Sequence, residues 1–227
     1  MDGTRYTFDV AGLYNGVFVM EDRQTGSVWT HYDGKVLIGP LTGTGIEMEI
    51  QLMVHTTWGD WLEQYPESVV LDWYDEYADR YRKVTPGTGG LGPQFQETIL
   101  NWDDRLEQNE LVLGVDAGDA TRAYVIAELP VERSVISDEL GGEPVVVFAE
   151  GGSGFGIALS PVVDGNELLF SATSEGWFSE DGTRWDASGA AISGPLAGTT
   201  LEFITSFVTE WYGWAAYHPD TTIYGEP

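Results

Sequence analysis

Four short blocks occur twice in this chain, in the same order. The first set is Thr25-Gly26-Ser27-Val28-Trp29, Ile38-Gly39-Pro40-Leu41-Thr42-Gly43, Thr56-Thr57-Trp58-Gly59-Asp60-Trp61 and Tyr65-Pro66. The second is Asp181-Gly182-Thr183-Arg184-Trp185, Ser193-Gly194-Pro195-Leu196-Ala197-Gly198, Thr209-Glu210-Trp211-Tyr212-Gly213-Trp214 and His218-Pro219. Asp2-Gly3 before Phe8 matches Asp164-Gly165 before Phe170 in the same way. Ordered self-similarity of this kind reads as one supersecondary unit used twice. It constrains the architecture and names no reaction.

Most segments of a unit read as strands. Gly16–Met20 and Ile46–Ile50 mix β-branched, aromatic and alternating apolar residues, and the second fits a sheet with one wet face. Asp33-Gly34, Asp164-Gly165 and Asp116–Asp119 are hairpin signals, and the two Gly-Pro pairs punctuate turns. Pro144–Ala149 reads as a buried strand with Phe155–Ser160 as its partner. The tryptophan blocks are the helical signal. Trp58, Trp61, Leu62 and Tyr65 fall at i, i+3, i+4 and i+7, as do Trp211, Trp214, Ala215 and His218. Thr56 and Thr209 are expected N-caps, and Pro66 and Pro219 stop the helices. Helices this short must dock their tryptophan face onto a sheet to persist. The chain therefore divides into a first repeat (1–71), a connecting segment (72–142) with a hairpin at 111–126, and a second repeat (143–227). Thr85–Pro93 reads as a Gly- and Pro-rich loop. The second repeat has the strand pair Val145–Ser160 ahead of its Asp-Gly turn. The first has nothing ahead of Asp2-Gly3 and reads as shortened, leaving an open sheet edge for a second copy, a partner chain or the connecting segment to cover.

There are 37 acidic residues against 10 basic ones, a net charge of −27. A phosphate backbone would be repelled, which disfavours nucleic acid, and an anionic membrane surface is disfavoured for the same reason. Such charge costs self-repulsion that salt removes, since the Debye length falls to about 3 Å at 1 M. Nine tryptophans argue against disorder, so the chain reads as a folded protein built for high salt. No apolar run reaches the roughly 20 residues of a membrane span. Cysteine is absent, which removes disulfides and thiolate chemistry. No compartment follows from this, although display outside the cytoplasm suits such a composition.

Val10–Asn15, Val19–Trp29, Gly39–Gly43, Trp58–Trp61 and the tail from Gly182–Trp185 to His218–Thr221 resemble the prokaryotic family catalogued as domain of unknown function 3179. The resemblance covers nearly the whole chain and implies no established activity. Members of that family typically carry a Cys-Pro-Leu-Thr-Gly-like segment ahead of the Asp-Gly turn. Ala149–Gly154 holds that place here without cysteine, so chemistry relying on that thiol cannot operate.

Candidate site residues are few. Trp29, Trp58, Trp61, Trp185, Trp211 and Trp214 recur in both repeats and are expected in the core, each burying a large area. Trp73, Trp102 and Trp177 have no counterpart, so they are the candidate ligand platforms. Asp103 and Asp104 are candidate catalytic carboxylates, since two carboxylates in a cleft can run glycoside hydrolysis. His218 is a candidate acid–base group, though at a helix end its charge would serve equally as a cap. His31 and His55 do not cluster with it, and no zinc or calcium loop is present, so neither a metal nor another cofactor is implied. Ser153 lacks the flanking glycine of a nucleophile elbow.

The expected fold is mainly β with short helices, two related sheet modules packed together. The expected function is a non-catalytic binding or scaffold module. The alternative is a hydrolase using carboxylates in a cleft between the repeats, and whether the protein is an enzyme stays open.

Overall fold

A computed structural model describes residues 3–81 and 91–226. The chain is mainly β with short helices. Four strands open it as a meander: β1 (Phe8–Tyr14), β2 (Val17–Asp22), β3 (Val28–Thr30) and β4 (Val36–Ile38), paired in that order. An extended arm leads from there to helix α1 (Trp58–Gln64). A 3₁₀ turn at Asp75–Arg80 and a single helical turn, α2 (Pro93–Gln96), follow. Then come β5 (Leu111–Asp116), β6 (Thr121–Val125), β7 (Arg133–Leu140), β8 (Glu143–Glu150) and β9 (Phe155–Leu159). A small hairpin, β10 (Val162–Val163) and β11 (Asn166–Glu167), precedes a second meander of β12 (Phe170–Thr173), β13 (Gly176–Ser179), β14 (Arg184–Trp185) and β15 (Ala191–Ser193). The chain closes with β16 (Phe203–Ile204), β17 (Ser206–Glu210), helix α3 (Trp211–Tyr217) and β18 (Thr222–Ile223).

Two mixed-origin sheets form the centre, ordered β16-β9-β8-β7 and β17-β5-β6-β18. They face each other across a core of Leu113, Val115, Tyr124, Val145, Val147 and Ala158. The opposite face of β8 and β9 packs Val146, Phe148, Ile157 and Leu159 under the second meander, against Trp177 and Trp185. The opposite face of β5 and β6 packs Val112, Ala123 and Val125 under α3, against Trp211 and Trp214, with Val17 and Tyr32 of the first meander alongside. Val145–Ala149 is apolar at every position because both faces of β8 are covered. The hairpin at 111–126 thus shares its sheet with the last strands of the chain.

The two meanders share a set of contacts around their buried tryptophans. Trp29 and Trp185 are both fully buried, each beneath a register shift beside its own strand. Each indole N–H finds an acceptor at the end of the second strand, Asp22 Oδ2 at 2.8 Å and Ser179 Oγ at 2.9 Å. Phe8 and Phe170 lie across the two indoles at centroid distances of 5.9 and 5.8 Å. Gly39 and Gly194 both hold positive φ, and a Cβ at either would strike the backbone of Ser27 or Thr183. The two Gly-Pro turns therefore require glycine for space as well as for conformation. Ser27 Oγ and Thr183 Oγ1 then each accept the N–H of the leucine after the proline, at 3.1 Å.

Several expectations need correction. The N-caps are Thr57, whose hydroxyl accepts from Asp60 N, and Glu210, one residue later than Thr56 and Thr209. Ile46–Ile50 is not a ladder strand. Residues 46–57 alternate between half-buried and exposed, but among the described residues no β-pairing holds them. Leu52 and Val54 rest against the second meander's core instead. Trp58 and Trp61 are not core residues, being 49% and 37% exposed, whereas Trp211 and Trp214 are fully buried. Trp177 is no surface platform. It is buried, stacked on Phe148 at 5.3 Å, and donates its indole N–H to Ser134 O. Residues 85–90 of the Gly- and Pro-rich loop lie outside the described residues. Among the described residues no helix is long and apolar enough to cross a membrane.

Candidate functional site

One cleft gathers titratable groups from both ends of the chain. It encloses about 720 Å³ between the first meander with its arm and the edge of the β5–β17 sheet. Tyr32, Asp33 and Lys35 come from the β3–β4 connection, Glu47 and Glu49 from the arm, Asp116 from the end of β5, and Trp214 and His218 from α3 and its cap. A second hollow of about 370 Å³ reaches the same histidine from the β5–β6 turn, past Gly118 and Asp119. The arm is seated at Gly34, whose carbonyl accepts from Met48 N at 2.9 Å. Gly34 holds positive φ and faces the Met48 carbonyl too closely for any side chain.

His218 is placed by the helix that ends at it. Its backbone N–H donates to Trp214 O at 2.9 Å, and its ring lies over the Trp214 ring at 4.0 Å. Burial pushes its pKa below the ordinary 6.5, and this outweighs the opposing pull of Asp116 and Asp33. The imidazole is therefore neutral at pH 7, and the expected charged helix cap is corrected to an uncharged one. The sign of the linkage is fixed. A lowered folded pKa gives stability that is whole above 6.5 and is lost as pH falls through 6.5 toward the folded value. Urea midpoints measured from about pH 7.5 to about 5 should fall in the wild type and fall less in His218→Gln.

The walls are aromatic and fixed. Tyr32 is buried, stacks on Tyr217 at 4.8 Å and meets Phe207 edge-on at 5.0 Å. Its hydroxyl donates to Thr209 Oγ1 at 3.2 Å, and burial pushes its pKa far above the ordinary tyrosine value. The mouth is acidic. Asp33 has Lys35 at 3.7 Å, while Asp116 accepts the N–H of Gly118 within its own turn. A neutral nitrogen base, one ammonium and several carboxylates thus surround a rigid aromatic floor. Such a cleft suits a small ligand that is cationic or rich in hydroxyls.

The other expected site residues do not converge. Asp103 is held by Arg105 at 2.8 Å. Burial pushes its pKa up, the Arg105 hydrogen bonds more than offset this, and the net shift is downward. That carboxylate serves a structural ion pair, with Arg105 also donating to Thr221 O and lying over the Trp211 ring. Asp104 is exposed. Trp73 and Trp102 are exposed at 59% and 48%, and Trp73 leans on Tyr81 at 3.8 Å. Ser153 donates to the carbonyl and the carboxylate of Glu150. Among the described residues no three His, Asp or Glu side chains gather in a way that could hold a metal ion. Asp33, Lys35 and Asp116 carry no spacing signal, because the fold alone brings them together.

No curated protein matches this chain, and no solved structure does. A family model described as protein of unknown function, DUF3179, matches residues 1–221 of the 227, and the chain belongs to that family.

Proposed function

We propose that the protein is a non-catalytic binding module that takes a small cationic or hydroxyl-rich ligand in the His218 cleft. The observation that carries this reading is the joining of Asp33, Glu47 and Asp116 with a neutral His218 around a rigid aromatic floor. Binding is favoured over hydrolysis because the expected catalytic carboxylate Asp103 is tied to Arg105. The test is a titration of the full chain with tetramethylammonium and with a neutral hexose, followed by tryptophan emission and calorimetry. Asp116→Asn should weaken the ligand that binds by about tenfold, the weight of one charge-assisted contact of about 1.4 kcal/mol. Binding of neither probe, or binding indifferent to Asp116→Asn, would remove the cleft from the account. Hydrolysis of an ester or glycoside abolished by His218→Gln would restore the enzyme reading.

The matching meanders support descent of the two halves from an internal duplication. The charge of −27 supports adaptation to high salt and argues against a nucleic-acid partner. Stability to urea should therefore rise steeply between about 0.1 and 1 M salt, as the Debye length shrinks from about 10 to 3 Å. A flat response would refute salt adaptation.

A further inference from the structure

Helices α1 and α3 are the same local structure under different cover. Both span seven residues and end on a residue with nearly the same backbone angles, φ −129° and ψ 69° at Tyr65 and φ −126° and ψ 68° at His218. In both, the second indole donates to a hydroxyl seven residues on, Trp61 to Ser68 at 2.8 Å and Trp214 to Thr221 at 2.9 Å. In both, the ring four residues on lies against that indole, at 4.4 and 4.0 Å.

What covers α3 is a β-hairpin. Strand β17, just ahead of α3, pairs antiparallel with β5, and β18, just after it, pairs in parallel with β6. Trp214 lies flat on β5 at Gly114, where any Cβ would come within 3.0 Å of the ring. At the matching places in the first half, Met53–Thr57 has no ladder partner among the described residues, and Val69 and Val70 stand 91% and 68% exposed. Trp58 and Trp61 are exposed between them.

We propose that this face docks a basic β-hairpin carried by another polypeptide, which adds a strand to Met53–Thr57 and lays a glycine under Trp61. Strand addition of this kind draws affinity from backbone pairing and specificity from side-chain pockets. Charge selects the partner. Residues 36–79 carry nine acids (Glu47, Glu49, Asp60, Glu63, Glu67, Asp72, Asp75, Glu76 and Asp79) and no lysine or arginine. A second copy would set the same acids against them, and each chain bears −27. A hairpin with an apolar inner face and lysine or arginine at its borders is complementary on both counts.

The probe is a backbone-cyclised peptide with the sequence of residues 108–126, carrying Glu110→Lys and Asp119→Lys. Mixed with the full chain, it should slow amide exchange of residues 53–65 at least tenfold and shift tryptophan emission to the blue. The same peptide with Gly114→Val should do neither. Trp61→Ala in the chain, at a position 37% exposed, should weaken binding tenfold or more. Added salt should weaken it too, through screening of the acidic border. No protection at about 1 mM peptide, or equal protection of the Trp61→Ala chain, would overturn the proposal. Protection of 53–65 in the peptide-free chain that rises with protein concentration would also overturn it, by placing a second copy on the face.

Discussion

Trp214→Ala is expected to cost about 3–5 kcal/mol of stability, while Trp61→Ala, at the matching place in the other half, costs about 1 kcal/mol or less. Each indole sits on a seven-residue helix, donates to a hydroxyl seven residues on (Ser68 or Thr221) and meets the ring four residues on (Tyr65 or His218). Their cover differs. Trp214 is sealed against β5, and its removal leaves a cavity and takes from the Thr221 hydroxyl the N–H that it accepts. Trp61 is 37% exposed, and its removal costs only local contacts with Tyr65 and Ser68. Urea unfolding of the two variants reads the difference directly. Equal losses would mean that the first helix is covered in solution, and the assignment of an open face would fail.

Gly114→Val is the second large effect. Gly114 sits mid-strand with ordinary backbone angles, paired to Ala123 on one side and Phe207 on the other. No conformational need for glycine exists there, so the demand is steric alone. A side chain would enter the ring of Trp214, which is fully buried and has nowhere to move. Overpacking ordinarily costs about 1–3 kcal/mol, and expelling the indole raises this to at least the cost of losing it, about 3–5 kcal/mol. The variant should accumulate as insoluble or molten protein. Gly12→Ala is the control, since Gly12 lies on an exposed strand with nothing within 4 Å of its Cβ position. A soluble Gly114→Val chain with unchanged tryptophan emission would show that Trp214 does not lie on this strand.

The local units were legible in the sequence because their causes are local. Trp-x-x-Trp followed by proline set both helices, and Asp116–Asp119 and Asp164-Gly165 set their hairpins. Asn15-Gly16 was an equally strong hairpin signal, with φ of 50° and 73°, and it joins β1 to β2. Asp60, three residues after Thr57, likewise pointed to the true N-cap. Burial was not legible, because it depends on what is laid across a segment. The same indole pair is core under β5 and surface without it. Residues 46–57 show the period of a strand, but the ladder needs a partner that the pattern cannot supply. Trp177 looked like a surface residue because it has no counterpart in the first half, yet β7 and β8 close over it. The cleft was least legible of all. Lys35, Asp116 and His218 stand 81 and 102 residues apart in turn, and only the packing of the first meander beside α3 brings them together.

Native-state hydrogen exchange on the full chain compares the two halves in one experiment. If the second helix is sealed and the first is open, amides of 211–218 exchange only when the whole protein unfolds. Those of 58–65 then exchange through local opening, orders of magnitude faster. Matched protection of the two stretches in dilute protein would contradict this account.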